Sequence, residues 1–518
     1  MNRRAGRLWR AGEDPGAALA GVRADARWPP RVLHIGNIGN NAYQNARILN
    51  SAGVPSDVLC YDYYHIMGCP EWEDADIPEV PAGFDENYPD WSKVALGGFV
   101  RPPWFAQGPL PLAALYLGRR GGKTEGLVRS AMNGSRRAMT WRPVRALARL
   151  AFRGVSGARQ LLSGGPPRAV TGASMDAAKP EWTTRFRDLF PDRPDGLGEG
   201  DLKRARRLIR AMGKLLSRYD VVIGYATDCI LPMVAGHPCF MAFEHGTIRS
   251  IPFEDSPTGR LTALAYRTAA CAFVTNCDNI RAVERLGMRN ARYIPHPMND
   301  ALFPEADPAG IRTELVQRYD PDFVVFHPSR HHWEAQRHPS WEKGNDILIK
   351  GFARFVREID ARALLVLVRW GRTVDESARL IASEGVEHRV HWIQPVPNRT
   401  MLRYIRASDV VADQFWLGTF GGIMPKAMAC AKPVLLHLDA TVHQWCFPEL
   451  PPHVQSRTPD EVFRGLSRLH SDRAYRAEVG ARSRAWYEKY HSEASIRDRL
   501  VSALRDAVVP QEPEAAAL

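Results

Sequence analysis

The chain has 518 residues, 45% of them hydrophobic and 24% charged, with a net charge of +12. That length exceeds one ordinary core and calls for two or three domains at roughly 150 residues each, while the composition speaks against a disordered chain. No uninterrupted apolar run approaches the roughly 20 residues that a membrane-crossing helix needs, so a helical membrane protein is not expected. The charge is concentrated: between Arg119 and Arg168 stand twelve basic residues and one acid, Glu125. That segment offers only Trp141 and Phe152 as stacking rings, which argues against nucleic acid as its partner.

Residues 1–30 carry Arg3, Arg4, Arg7 and Arg10 without an apolar core behind them, so a flexible lead-in is expected rather than a secretory signal. The run 31–36 reads as a strand, followed by the turn Gly36-Asn-Ile-Gly39, a helix over 42–52 and a second strand over 57–62. This is the opening of a Rossmann-like domain, in which Gly36 and Gly39 would let a ligand approach the backbone. The next segment, Tyr63 to Asp76, is polar and aromatic and is expected to help line the acceptor side of the cleft. From Cys69 to about Gly200 the rhythm of strands and helices is lost, and an insertion over about 73–200 is expected. The rhythm resumes with a basic helix over 201–217 and strands at 220–225, 239–245, 272–276 and 291–297. A second set follows: strands at 323–330, 363–368, 390–393, 410–413 and 433–437 alternate with helices at 345–358, 375–384, 398–407 and 423–430. Alternation of this kind implies parallel sheets with ligands at the carboxyl ends of the strands. The eight cysteines are scattered without a Cys-x-x-Cys pair, so buried thiols and a reducing cytoplasm are expected. The histidines at 331, 332 and 338 are read as solvent-facing, and no metal is expected.

The constellation with most chemistry is Ser329-Arg330 at a strand end and Lys343-Gly-Asn-Asp346 at the start of the next helix. Two cations at a helix N-terminus suit a diphosphate, because the dipole, the free backbone N–H groups and the side chains all favour an anion. The competing reading pairs both cations with surface acids such as Glu334 or Glu342. No two carboxylates stand out as nucleophile and acid, so glycoside hydrolysis of the two-carboxylate type is not indicated.

At these residues the chain resembles the GT-B glycosyltransferases, and in particular retaining family 4. The resemblance also covers His245-Gly246, Tyr293-Ile-Pro-His-Pro-Met-Asn299 and Ala427-Met-Ala-Cys-Ala-Lys-Pro-Val434, over about residues 31–66 and 218–490. It implies an α/β GT-B fold: an acceptor domain over 31–300, a donor-binding domain over 301–490, and a helix and tail over 491–518. It further implies that Arg330 and Lys343 stabilise the leaving diphosphate, that His245 stands near the transferred sugar, and that no cofactor is needed beyond a nucleotide-sugar donor. The turn Thr419-Phe420-Gly421-Gly422 would add backbone N–H groups to the donor site. The implied activity is a retaining, hexosyltransferase-like transfer to a glycan or lipid-linked acceptor in bacterial envelope or exopolysaccharide assembly.

One departure bears on this expectation. The family typically carries Glu-x7-Glu for the sugar and the nucleotide ribose, and the aligned positions here are Gly418 and Lys426. Lys426 would bring a cation to a helix start, either as an additional phosphate contact or as the mark of a degenerate, non-catalytic binding protein. Within the expected insertion, Arg142, Arg145, Arg149 and Arg153 fall on one helical face and Val144, Leu147, Ala151 and Val155 on the other. That pattern fits a helix lying on an anionic membrane surface, which would place a cytoplasmic protein at the inner face of the membrane.

Overall fold

The computed structural model describes residues 28–78, 80–81, 83–141, 181–305, 308–334, 342–359 and 362–508. The basic amphipathic pattern over 142–155 lies outside the described residues.

Two parallel sheets organise the chain. The first is built from β1 (Val32–Ile35), β2 (Ser56–Tyr61), β3 (Phe105–Gly108), β4 (Val221–Tyr225), β5 (Phe240–Phe243), β6 (Cys271–Val274) and β7 (Ala291–Tyr293), in the order β3-β2-β1-β4-β5-β6-β7. The second is built from β8 (Phe323–His327), β9 (Ala363–Val368), β10 (Val390–Ile393), β11 (Val410–Ala412), β12 (Val434–Leu436) and β13 (Val454–Gln455), in the order β10-β9-β8-β11-β12-β13. β1, β8 and β9 are buried along their whole length, because helices cover both faces of each sheet. In each sheet the strand order reverses once, between β1 and β4 in the first and between β8 and β11 in the second. Loops diverge at such a reversal and leave a crevice at the carboxyl ends of the strands.

The expected insertion needs correction. Phe105–Gly108 lies within it, yet pairs in parallel with β2 as the edge strand of the first sheet, and the helix Leu110–Arg119 packs behind it. Four residues, Phe-Ala-Gln-Gly, entered through Pro102-Pro103, carry neither alternation nor β-branched side chains, so periodicity was silent there. The C-terminal helix Glu493–Val508 also departs from a simple order along the chain. Ile496, Leu500, Ala503 and Leu504 pack in one apolar cluster with Val32, Ile223 and Met241, so the chain returns to cover the first sheet. Ion pairs Arg47–Glu493 at 2.7 Å and Arg292–Asp506 at 2.6 Å fasten it there.

The carboxyl ends of the two sheets face one another. Across the divide Arg403 pairs with Asp76 at 3.0 Å, Thr400 donates to the Ile77 carbonyl at 3.3 Å, and the Trp445 indole donates to the Cys277 carbonyl at 2.6 Å. No described helix is long and apolar enough to cross a membrane. None of the eight cysteines is in a disulfide, and all but Cys239 are buried.

Candidate active site at the interdomain cleft

On the second sheet, the crevice between β8 and β11 holds the predicted cations. Ser329, just beyond β8, donates to Asp413 Oδ1 at 2.9 Å across the strand reversal. Asn345, fully buried at the start of the helix Asn345–Ile359, organises the loop between. Its amide nitrogen donates to the Arg330 carbonyl at 3.2 Å and to His327 Nε2 at 2.8 Å, and its oxygen accepts from the His332 backbone at 3.0 Å. The Lys343 backbone donates to the His332 carbonyl at 2.8 Å. Arg330 and Lys343, thirteen positions apart in sequence, are thereby fixed on one rim.

Their side chains differ in setting. Arg330 is exposed to the cleft, with its guanidinium 5.5 Å above the Trp370 ring and no carboxylate partner among the described residues. Glu334, the acid that competed for it, pairs with Arg372 at 3.5 Å. The Lys343 ammonium donates to Gln414 Oε1 at 2.5 Å. Burial pushes its pKa down, opposed by the Asp413 carboxylate, and Arg330 adds to the downward push. Arg249 and Asp278 of the first domain act on the same ammonium, which places Lys343 toward the facing domain. Burial raises the Asp413 pKa while Lys343 opposes the rise, so the two form a buried counter-charged unit. Lys343 has donors left over for an anion, since an ammonium carries three.

The first domain contributes the opposite wall. β5 ends at Phe243, and His245-Gly246 follow in its loop. His245 Nδ1 accepts from Asn41 Nδ2 at 2.8 Å, while Asn41 Oδ1 accepts from His296 Nδ1 at 3.3 Å. Burial, with a smaller push from Arg249, lowers the His245 pKa to about 4. His245 is therefore neutral near pH 7 with its proton on Nε2, a donor suited to a sugar hydroxyl. Arg249 is held in turn by Asp278, at 2.8 Å and 3.0 Å through two nitrogens.

The glycines of the first turn part company. A Cβ on Gly39, whose φ is +58, would stand 3.2 Å from His245 Cε1, so this residue backs the imidazole and belongs to the cleft. Gly36 instead lies against Asp228, where a Cβ would meet Oδ2 at 2.5 Å. Asp228, raised to about pKa 6 by burial, borders a separate cavity of about 100 Å³ with Tyr61 and Arg204. Two residue exchanges separate these effects. Gly39→Ala is expected to cost about 1–2 kcal/mol and to lower turnover, whereas Gly53→Ala, at φ +78 with open space around it, should cost about 1 kcal/mol with no loss of turnover. Thermal melts and initial rates of both variants check this, and equal turnover in the two would remove the Gly39–His245 contact from the account.

The turn at 418–422 is also divided. Phe420 stacks on His443 at 5.6 Å and packs in the domain core, while Gly421 donates its N–H to Asp413 Oδ2 at 3.4 Å. Thr419 is buried, and its carbonyl accepts from Gln414, the partner of Lys343. Gly422 borders the cleft cavity described next. Gly418 has φ +69, and a Cβ there would stand 3.0 Å from Asp439 Cβ, so no carboxylate side chain fits without moving that neighbour. Lys426 requires a correction: the helix begins at Ile423, so this residue lies in its last turn rather than at its start, and a cation there agrees with the helix dipole.

Between the domains lies a cavity of about 220 Å³, largely apolar. Ile66, Met67 and Trp72 form its first-domain wall, and Trp370, Pro395 and Val396 form its second-domain wall. The segment from Tyr63 to Asp76 contributes Ile66, Met67, Trp72 and Glu73 to the first-domain wall. It is held to the first turn by Asn37, which donates to the Gly68 carbonyl at 3.0 Å, and by Asn40, which donates to the Cys69 carbonyl at 3.1 Å. Asn41, Arg249, Asp278, Asn345, Asp413 and Gln414 were not singled out from sequence. Each positions a neighbour rather than completing a motif, and they come from five separate segments of the chain, Asp413 and Gln414 being adjacent.

No family model matches the chain. It is 31% identical over 99 residues to a D-inositol 3-phosphate glycosyltransferase of Nocardia farcinica, covering 18% of this chain and 22% of that protein. It is 26% identical over 161 residues to an uncharacterized glycosyltransferase of Methanocaldococcus jannaschii, covering 29% of this chain and 39% of that protein. The match thus spans well under half the length of either relative. Among solved structures, sucrose-phosphate synthase of Thermosynechococcus elongatus aligns over 92% of this chain and 98% of its own, with 13% identity and a TM-score of 0.50. With two parallel sheets facing one another across a cleft and a last helix returning to the first, the chain has the GT-B fold, that of the glycosyltransferases it resembles in sequence.

Proposed function

We propose that the chain is a glycosyltransferase that moves a sugar from a nucleotide-diphosphate donor to a glycan or lipid-linked acceptor. The observation that carries this reading is the pair Arg330 and Lys343, fixed on one rim of the cleft by Asn345, with the Arg330 guanidinium free of any acid among the described residues. As the bond from sugar to diphosphate breaks, negative charge grows on the leaving oxygens. Cations already in place stabilise that charge without reorganising. His245 donates from Nε2 to a hydroxyl of the transferred sugar, and its neutrality avoids placing a third positive charge beside the anomeric carbon. Transfer with retention, through attack on the face the diphosphate leaves, follows from the family resemblance and requires no protein nucleophile. The glycosyltransferase names of the two sequence relatives support the class of reaction.

Donor turnover tests the reading. Release of nucleoside diphosphate is expected from one or more of a panel of UDP-, GDP- and ADP-sugars and is expected to fall by about 10²–10³-fold in Arg330→Ala. Tight binding of a donor with no turnover against any acceptor would favour the non-catalytic alternative, which the glycine and lysine at 418 and 426 keep in play.

We propose further that the protein contacts the inner face of a membrane. Arg119, Lys123 and Arg137 are exposed without acid partners among the described residues, and Leu127 and Trp141 of the same stretch of sequence are exposed as well. Each such cation contributes about 1 kcal/mol toward an anionic bilayer. Co-sedimentation with vesicles is expected to be several-fold greater with anionic than with neutral lipid and to fall at high salt. Equal, salt-independent recovery would contradict this placement.

A further inference from the structure

Outside the diphosphate site, one cluster of reactive side chains spans the two domains. Cys277 follows β6 of the first domain, yet it packs in the apolar cluster of the second, with Tyr293, Cys446 and Phe447. The Trp445 indole donates to the Cys277 carbonyl at 2.6 Å, so the residue preceding Cys446 touches the backbone of Cys277 itself. Trp445 and Phe447, on either side of Cys446, both meet the Tyr293 ring edge-on, with centroids 5.6 Å and 5.0 Å apart. The short helix Ala440–His443 packs against the turn Cys277–Asn279 and brings His443 to the same place. Cys277 is 2% exposed, and Cys446 and His443 are fully buried.

These surroundings set the two sulfurs apart from the other thiols. His443 Nδ1 donates to the Asp439 carbonyl at 2.8 Å, which leaves Nε2 buried and without a hydrogen-bond partner among the described residues. An imidazole nitrogen in that state is a base for a neighbouring thiol. Burial raises the Cys277 pKa, but the Cys446 thiol and the His443 ring outweigh it and bring it below the ordinary thiol range. Burial, and then Cys277, push Cys446 the other way. One sulfur is thus a nucleophile while its neighbour keeps its proton, the division of roles by which a thiol is oxidised and a second thiol closes the disulfide. Cys60 and Cys69 also lie near each other, 3.8 Å and 3.7 Å from Gln107 Nε2, but burial raises both, so that pair stays protonated.

We infer that Cys277 and Cys446 form a reversible disulfide on exposure to hydrogen peroxide, a covalent clasp between the two domains. The Cys277 thiolate attacks one peroxide oxygen and the O–O bond breaks. The departing hydroxide takes a proton from His443 and leaves as water, with Cys277 now a sulfenic acid. The Cys446 sulfur then attacks the Cys277 sulfur, the S–O bond breaks, and the hydroxyl leaves with the Cys446 proton as a second water. Two thiols and one peroxide yield one disulfide and two waters, with two electrons passing from sulfur to oxygen. Peroxide is small enough to arrive by local loosening of the contact between the domains. The link falls beside the candidate site, since Asp278, next to Cys277, holds Arg249, and His443 stacks on Phe420 of the turn at 418–422.

The test exposes the reduced full chain to hydrogen peroxide, removes the excess and titrates thiols in denaturant. Wild type is expected to lose two of its eight thiols and to show a Cys277–Cys446 link on peptide mapping. It should also melt at least about 5 °C higher, because the link joins segments far apart in sequence, and dithiothreitol should restore both thiols and the original melt. Cys277→Ser is expected to lose no thiol. Cys446→Ser should lose one, trapped as a sulfenic acid by dimedone, with no rise in melting temperature. Wild type that keeps all eight thiols, or whose lost pair maps elsewhere, as to Cys60 and Cys69, overturns the inference without recourse to either variant. A mapped Cys277–Cys446 link that leaves the melt unmoved overturns the clasp. None of these readouts depends on turnover, so each outcome leaves the donor reading where it stands.

Discussion

Arg330→Ala is expected to lower kcat by about 10²–10³-fold, the range seen when one preorganised group facing developing negative charge is removed, equivalent to about 3–4 kcal/mol. The melting temperature should stay nearly unchanged, because the guanidinium is exposed, makes no ion pair among the described residues and touches only the Trp370 face. Lys343→Ala should behave differently. It removes the ammonium that opposes the burial of Asp413, leaving a carboxylate that is 1% exposed without its counter-charge. Leaving that buried carboxylate without its nearby opposing cation costs on the order of 1–3 kcal/mol, so this variant should lose both turnover and stability. Initial rates measured beside thermal melts separate the two cases. A stable, inactive Arg330→Ala and an unstable Lys343→Ala agree with the account. An Arg330→Ala with wild-type kcat would remove the guanidinium from the chemistry.

The second large effect is a loss of stability in acid. Burial holds His34, His331 and His491 near pKa 3 and His327 near 4, against an ordinary value of 6.5. Each is at most 1% exposed. Between pH 6.5 and 4 the unfolded chain binds protons that the folded chain refuses. The stability these neutral rings contribute is thus complete above pH 6.5 and is lost as pH falls toward their folded values. Each ring changes stability by about 1.4 kcal/mol per pH unit within that window, so the four together give a slope approaching 5 kcal/mol per unit. Urea midpoints taken from pH 8 to pH 4.5 should be flat above 7 and fall steeply below 6. A midpoint independent of pH across 6.5 to 4.5 would show that these rings are charged in the folded chain.

These effects bear on how far the sequence could be read. β9, β10 and the helix Asn398–Ala407 fall where periodicity placed them, because apolar runs between polar helices leave few alternatives. β3 was missed, since an edge strand of Phe-Ala-Gln-Gly is decided by pairing with β2 rather than by its own pattern. The docking of Glu493–Val508 on the first sheet was also out of reach, because an amphipathic helix does not state which domain it covers. The cations of the site were legible, as Arg330 and Lys343 sit at a strand end and before a helix, where anions bind. Their partners were not: Asp413 and Gln414 lie beyond another strand, and nothing local marks a residue that neutralises or orients one 70 positions earlier. Gly36 shows the converse. It occupies a motif position, yet it packs against Asp228, where a Cβ would meet Oδ2 at 2.5 Å.

The central claim is that the cleft grips a diphosphate through the cations of the second domain, and affinity for the phosphates themselves tests it most directly. Titration of wild type with UDP, GDP and ADP beside the corresponding nucleosides and monophosphates should show the diphosphate binding at least tenfold tighter than either, with the margin lost in Arg330→Ala. Equal affinity for nucleoside and nucleoside diphosphate, unchanged by that substitution, would contradict the account.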